Sequence, residues 1–580
     1  MQHFLSTIIV LFSIAALVNA QETYYFSTSG NNVSDGLSEE KPRRTMTQEF
    51  INALKPGDRV LFKRGDRWHD ATTNWDFSNI GGSAEKPIYF GAYGTGENPI
   101  IAKLRLVTDT WKDDGNGVWS VPWNVTQADT YALYKNDKIV TPALHTGAVA
   151  TMANNTFFVT EGRLYLKGFG NPTDNQVEVN ISAGGNFIVF NNSKYITFEG
   201  ITFKGTSRRT HFINARAPTG NLVFRNLTIM HIGGYLTIFH SDGPENHIAH
   251  LWENNVIDRT WGPMVYRAMR NNAAENTSVI TTDALCYRNA GEGVVIRGNT
   301  FMNWGHTTVN FQQIRPHTDS PEIRFNVVEN NLFLQGDSEY NRAFEFCGDA
   351  RVNNNIFRCN YVYGHTNSSH FLGVDNVVYG NIFDTIVLTT ADTRTIQPQH
   401  VDLAPWVGDG VMYVAKRNII MNNTFFGGRE GIRVGTSALV GNNLIANNIF
   451  HSWWGSHFLT IHDDAAPQTV LNNVFWNGPD TATQALISRT SDKLTVVEIN
   501  ALPTMSGNVA GDPQFSAVAA GYGASNFRLQ ATSPFLKAGL SIDTINAEAF
   551  PAIRLIAAEY NDFYGEPFSL ASPTIGGVSN

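Results

Sequence analysis

Cysteine is scarce. The 580-residue chain holds only Cys286, Cys347 and Cys359, and this odd, small count excludes a disulfide framework. Nothing in the sequence marks a base partner for a thiol, so the expected place of all three is the buried interior of the fold. Charge is also sparse, at 16% Asp, Glu, Lys and Arg with a formal net charge of −9. No basic run is present, which excludes a nucleic-acid patch. Beyond the first residues no apolar run is long enough to span a bilayer. No segment carries the spacing of a calcium loop, so a calcium ion at Asp337, Asp349 or Asp375 is open and the metal content undefined. Helical periodicity is confined to Thr45–Leu54, where Lys55-Pro56-Gly57-Asp58 stops it.

What the chain does have is a returning phrase: Asn, then one or two residues, then a large apolar residue. It reads Asn226-Leu227-Thr228-Ile229, Asn255-Val256-Ile257, Asn299-Thr300-Phe301, Asn331-Leu332-Phe333 and Asn355-Ile356-Phe357. It continues as Asn381-Ile382-Phe383, Asn423-Thr424-Phe425, Asn448-Ile449-Phe450 and Asn473-Val474-Phe475. Several steps are about 25 residues, the period of a stacked repeat. Period-two alternation inside each unit makes the units strands. The expected body is therefore a solenoid of β-coils with its function along one long face. The Asn residues are structural, each bonding backbone groups at a coil corner.

Met1–Ala20 has the apolar centre Ile8–Val18 and the small-residue end Val18-Asn19-Ala20 of a secretory signal peptide, placing the mature chain outside the cytoplasm, secreted or periplasmic. The expected division is 1–20 signal peptide, 21–102 N-terminal cap and first coils, 103–185 a β-rich elaboration, 186–510 coils with the functional face, and 511–580 a C-terminal cap. In the elaboration, Phe157–Leu166 reads as a hairpin around Glu161-Gly162. Two gaps in the repeat, Asn255 to Asn299 and Asn381 to Asn423, are each an extra coil or a coil with a large loop. Thr389–Asp409, with two Pro, a His and a Trp, reads as a loop, and long loops of solenoids sit on the binding face.

Tyr24-Tyr25-Phe26-Ser27-Thr28-Ser29-Gly30-Asn31, Asp35-Gly36-Leu37-Ser38 and Leu54-Lys55-Pro56-Gly57-Asp58 resemble the opening of secreted right-handed parallel β-helix proteins. Asp512-Pro513-Gln514-Phe515 and Ser533-Pro534 are similar to their closing segment. The resemblance implies an all-β, right-handed parallel β-helix with a short N-terminal helical cap and an irregular C-terminal cap. It also implies the company of polysaccharide lyases and glycoside hydrolases. No paired aspartates followed by Gly-His-Gly occur, so no catalytic residue carries over from the polygalacturonase-type hydrolases.

Strand alternation selects the outward side chains. In Arg342–Phe346, Phe344 and Phe346 point in and Glu345 out. In Thr308–Gln312, Asn310 and Gln312 point out, and in Gly431–Val434, Arg433 does. Coils stack at ~4.8 Å, so Asn310, Glu345 and His370 form a polar ladder, extended by Thr237, Thr460 and His462 and flanked by Arg342, Asp349 and Arg351. Two mechanisms use such a face. In β-elimination on a uronic acid, His370 or Arg342 is the base and Arg351 or Arg433 neutralises the carboxylate. In hydrolysis, Glu345 pairs with Asp349, Asp337 or Glu339. Asn310, Gln312, Arg433 and Trp406 are candidate substrate contacts, and Trp304, Tyr340, Tyr361, Tyr363, Trp453 and Trp454 are candidate sugar platforms or core residues. The first reading is a monomeric polysaccharide lyase acting on an extended uronate chain. The alternatives are a glycoside hydrolase of the same fold and a non-catalytic carbohydrate-binding or adhesion protein.

Overall fold

A computed structural model describes residues 21–579, apart from 70–73, 127–129, 143–148, 173–176, 182–184, 207–209, 233–234, 259–282, 305, 335–341, 366–367, 386–398, 406, 409, 436–438, 454–456, 463–464, 466, 490–491, 520–521, 557–560 and 570. Met1–Ala20, Asp337, Glu339, Tyr340, Trp406 and Trp454 lie outside the described residues.

Three long parallel sheets run the length of the chain, two of 14 strands and one of 13, and the chain visits them in turn on every coil. One begins at Thr23–Phe26 and ends at Met505–Ser506, a second runs from Arg67–His69 to Val509–Ala510, and a third from Trp75–Asp76 to Ile487–Ser488, where Lys493–Leu494 adds a last, antiparallel strand. This is a parallel β-helix, and strand–crossover–strand units of L-residues wind right-handed. One continuous core fills it from Phe26 to Met505. Its spine includes the ring stacks Phe383–Phe425, Phe425–Phe450 and Phe450–Phe475, with centroids 5.1, 5.0 and 5.1 Å apart.

The Asn phrase resolves into two ladders. In the first, Nδ2 of Asn255, Asn299, Asn331, Asn360, Asn381, Asn423, Asn448 and Asn473 each donates to the Oδ1 of the next member, ending on Asn508, at 2.8–3.1 Å. The second passes through Asn326, Asn355, Asn376, Asn418 and Asn443 to Gln468. Asn355 therefore belongs to a different corner from Asn331 and Asn381, and Asn360 fills the place between them. Asn226 is in neither ladder. It adopts φ 53°, and the N–H of Leu227 donates to Asn255 Oδ1 at 2.9 Å. The same left-handed turn precedes the ladder residue at Asn254, Asn330, Asn422, Asn447 and Asn472. Asn tolerates that conformation better than other side chains with a Cβ, which explains the Asn-Asn doublets: the first makes the corner, the second bonds the coils.

Asn381→Ala is expected to remove the Asn381 donor from Phe357 O and the Asn381 acceptor from the Asn360 N–H and one Asn360 Nδ2 hydrogen, while Asn360 Nδ2 keeps its bond to Val328 O. At roughly 1–3 kcal/mol for each buried orphan, the loss should be about 3–6 kcal/mol. Asn226→Ala should cost only about 1–2 kcal/mol, the left-handed backbone penalty. Chemical denaturation of both variants checks the contrast, and equal losses would refute the division of labour.

The N-terminal coil is closed by a helix, Gln48–Asn52, shorter than its periodicity suggests because Thr47 Oγ1 caps it by accepting from the Phe50 N–H. Phe50 and Ile51 bury against the first coil. Thr156–Thr160 and Arg163–Lys167 form the expected hairpin, with Glu161 and Gly162 both at positive φ. It belongs to an eight-stranded sheet with its own core around Trp111, Trp123 and Phe157. That sheet meets the coils through buried Lys204, which pairs with Asp137 and lies 3.8 Å from Glu178. The tail from Phe515 to Val578 covers outward apolar residues such as Ile382, Phe426 and Tyr379. Each of the two long gaps proves to be one coil with an insertion, since its flanking strands pair directly. Among the described residues no helix is long and apolar enough to cross a membrane.

Candidate functional site

The third sheet carries the polar row. Its strands Leu285–Arg288, Thr307–Gln312, Arg342–Cys347, Ser369–Phe371, Gln399–Leu403, Glu430–Val434 and Leu459–Ile461 pair in succession. The register aligns Cys286, Asn310, Glu345, His370, Asp402, Arg433 and Thr460. Phe311, Phe344, Phe346, Phe371, Val401 and Ile432 fill the interior behind them. Asn310, Glu345 and His370 are thus on adjacent coils, as alternation requires.

Two corrections concern this row. Gln399–Leu403, inside the segment read as a loop, is a full coil strand, because Val401 and Leu403 alternate inward against Ile432 and Val434. Four apolar and polar residues in alternation were too short a signal beside the neighbouring prolines. Thr237 is not in the row: it stands opposite Leu285, fully buried, and Ile238 occupies the row position. Cys286 and Cys347 were expected inside the coil, yet their register partners Asn310 and Gln312 put them on the outer side. Burial pushes the Cys286 thiol up to about 12 and that of Cys347 well above its ordinary value, so neither is a ready nucleophile. All three cysteines are free.

The row is an alternation of charge. Asp283 Oδ1 is 2.7 Å from His306 Nδ1, and its Oδ2 accepts from Asn310 Nδ2 at 2.9 Å. Arg342 Nη1 lies 3.3 Å from His306 Nε2 and donates to Glu345 Oε1 at 2.6 Å. His370 Nδ1 is 3.0 Å from the same Glu345 oxygen, and its Nε2 is 4.0 Å from Asp402 Oδ2. Arg433 closes the series with a two-point contact to Asp402, at 2.7 and 3.3 Å. Glu345 and Asp402 are each 2% exposed, whereas the side chains of His306, Arg342, His370 and Arg433 are 28, 17, 11 and 36% exposed. The anions are sealed and the nitrogen groups reach the surface.

Burial alone would raise the Glu345 pKa, but Arg342, then His370 and His306, outweigh it and hold the carboxyl far below its ordinary range. Burial alone would lower that of His306, and the Asp283 carboxylate more than offsets this and raises it. Glu345 is therefore an anion at any working pH. It can orient and stabilise, not donate a proton.

The other expected residues fall elsewhere. Arg351 forms a two-point ion pair with Asp349 at the turn after the Glu345 strand and donates to His317 O, so its bonds do not go to the row. Asn310 is fully buried, and its amide also donates to Gln312 Oε1 at 3.3 Å. Gln312 Nε2 donates to the Tyr413 hydroxyl at 3.4 Å. Asp375 is held by Arg417 at 2.5 and 2.8 Å. Trp304 is core, and the Tyr361 hydroxyl donates to Asp384 under the tail. Asp283, Asp402 and Tyr413 were not foreseen.

Among the described residues, Glu345, Cys347 and His370 have ligand atoms within 4.8 Å of one another. The group fits a cation poorly, because Arg342 already occupies Glu345 and burial keeps the thiol protonated. Thiol and imidazole are also not calcium ligands.

No protein-family model matches the chain, and no curated protein matches its sequence. Solved structures share the fold at low identity. A complex of XylC with xylose is 11% identical with a TM-score of 0.48, covering 96% of this chain and 98% of that one. The pectate lyase Pel9A is 13% identical with a TM-score of 0.43, covering 97% and 96%. A family 6 polysaccharide lyase from Pseudopedobacter saltans is 12% identical with a TM-score of 0.42, covering 84% and 96%.

Proposed function

We propose that the protein is an exported, monomeric polysaccharide lyase that cleaves a uronate-containing chain by β-elimination at the Glu345–His370–Asp402–Arg433 row. The observation that carries this reading is the division of the row into sealed anions and surface-reaching cations and imidazoles. Hydrolysis by paired carboxylates needs one of them protonated as the acid. Glu345 is locked as an anion by Arg342 and His370, and Asp349 is held low by Arg351.

β-Elimination makes different demands. A base takes the proton α to the substrate carboxylate, the C–H electrons form the C=C bond, and the β C–O bond breaks, its oxygen taking up a proton. His370, steadied by Glu345 at 3.0 Å, is the proton-transfer group. Arg433 has five N–H donors with two spent on Asp402, and it meets the substrate carboxylate and favours the enolate. Arg342 and His306 lie on the opposite side of His370, at Glu345. Asn310, through Asp283, is a positioning residue.

A panel of uronate and neutral polysaccharides tests this. New absorbance from an unsaturated uronate product is expected. His370→Ala should lower its rate by about 10²–10⁴-fold, and Arg433→Gln should lower kcat as well as raise KM, since the guanidinium both binds the carboxylate and favours the enolate. Reducing ends without that absorbance would mean hydrolysis, and binding without product would mean an adhesion or carbohydrate-binding protein. Either result overturns the proposal.

A further inference from the structure

We infer that Arg288 is the centre of a distal saccharide subsite, where it holds the anionic group of a sugar unit bound away from the reacting bond. Among the described residues the strands of the third sheet carry four arginines. Three are tied to carboxylates: Arg216 to Asp242, Arg342 to Glu345 and Arg433 to Asp402. Arg288 has no carboxylate at ion-pair distance. Its contact is with Tyr235, whose hydroxyl accepts from Nη2 at 3.4 Å and whose ring faces the guanidinium at 5.4 Å. The Asp283 carboxylate of the same coil is already taken by His306 Nδ1, the Thr307 N–H and Asn310 Nδ2, at 2.7, 3.3 and 2.9 Å. Arg288 is half-buried with its Nε inside, so the Nη pair is the end that reaches the surface. A guanidinium that has lost part of its water without gaining an anion is costly, and an anionic ligand supplies the missing partner.

The place of Arg288 selects the ligand. Arg216, His240, Arg288 and Gln312 align on the outer face of the third sheet, two residues along the strands from the row of Cys286, Asn310, Glu345 and His370. Arg216 and His240 share Asp242, so Arg288 is the unpaired cation of this second column. It lies three coils from His370, roughly 14 Å at ~4.8 Å per coil. Arg433 lies two coils from His370 on the other side. The two guanidiniums are thus about 24 Å apart along the axis, with His370 between them. Arg288 is too far to touch the sugar that loses its proton, and in line to hold another unit of the same chain. Its planar fork of donors matches a carboxylate or a sulfate in a two-point contact. Tyr235 fixes the fork before the ligand arrives, so less ordering is required on binding. The uronate class rests on the function proposed above; the unpaired guanidinium does not.

Calorimetric titration of the full chain tests the inference, on a His370→Ala background that keeps a cleavable oligomer intact. The probes are oligogalacturonate and oligomannuronate, a sulfated oligosaccharide without carboxylates, and xylo-oligosaccharide as the neutral control. Arg288→Gln is expected to weaken at least one anionic oligomer long enough to span the five coils by about 10- to 100-fold, the scale of a lost charge-assisted hydrogen bond. Uronate dimers and the neutral control should be weakened far less. Arg288→Lys keeps the charge and should recover part of the affinity. The subsite is overturned if no anionic oligomer binds, if Arg288→Gln binds every anionic oligomer as its background does, or if dimers, neutral and long anionic oligomers are weakened alike. Arg288-dependent binding of the sulfated oligomer alone, or of a uronate from which the parent forms no unsaturated product, would sink the lyase reading and leave the subsite standing. Unsaturated product with uronate binding indifferent to Arg288 would do the reverse.

Discussion

Glu345→Gln is expected to lower turnover of the uronate polymer by about 10²–10⁴-fold, the usual loss when proton transfer is disabled, while the coil stack stays folded. The amide keeps the shape of the carboxylate but not its charge. His370 then loses the anion 3.0 Å from its Nδ1, and Arg342 loses the partner at 2.6 Å. Breaking a fully buried ion pair costs roughly 3–5 kcal/mol. Arg342 is 17% exposed and water can reach it, so the stability loss should sit at the lower end of that range. Glu345→Asp keeps the charge and should recover part of the rate. Circular dichroism and denaturation separate a folding failure from a chemical one. A folded Glu345→Gln enzyme with near-parental turnover would show that the chemistry lies elsewhere.

The sequence made the coil visible because one physical constraint repeats. A corner in left-handed conformation followed by a buried amide has few solutions, and Asn-Asn is the commonest one here. It was less good at separating two corners of one coil. Asn355-Ile356-Phe357 and Asn331-Leu332-Phe333 look alike as text, and only hydrogen-bond partners tell their ladders apart. The row Asn310, Glu345 and His370 was legible because a Phe follows each of them in the strand, Phe311, Phe346 and Phe371, and fixes which way the strand faces. Asp402 was hidden, since its strand is five residues long and follows a stretch without periodicity. Asp283 and Tyr413 could not be read at all. Asp283 precedes its strand and Tyr413 lies a hundred residues from Gln313, whose carbonyl accepts its hydroxyl at 3.2 Å. The burial of the anions was equally invisible, because alternation says which side a residue takes and not what covers it.

Acid should unfold the protein in two stages, with the first set by histidines rather than carboxylates. His247 and His365 are pushed down by burial to about 3, and His400 to about 4. His250, buried beside His247, also falls well below its ordinary value. Thr219 Oγ1 lies 2.7 Å from His247 Nδ1 and 3.0 Å from His250 Nε2, and the Tyr287 hydroxyl lies 3.1 Å from His250 Nδ1, an arrangement suited to neutral rings. The sign follows from linkage. The unfolded chain binds these protons near pH 6.5, whereas the folded chain binds those of His247, His365 and His400 only near 3–4 and that of His250 only well below its ordinary value, so stability is intact above about 6.5 and falls as the pH drops towards the folded values. At pH 5 each ring costs about 2 kcal/mol, and the four together on the order of 5–10 kcal/mol, comparable with the whole stability of many domains. His306, raised by Asp283, works in the opposite sense, adding stability below pH 6.5, but it is one group against these four and against His211 and His451, which burial also lowers to about 4. Glu345, Glu178 and Asp137 have depressed pKa values, so their contribution persists above about pH 4.3 and is lost only as the pH falls further. The guanidinium midpoint should therefore decline steadily from pH 6.5 to 4.5 and steepen below that. His247→Gln removes one of the proton-binding sites and should flatten the first decline by about one proton. A midpoint constant between pH 7 and 5 would mean that the buried imidazoles are already charged in the folded chain or reach water.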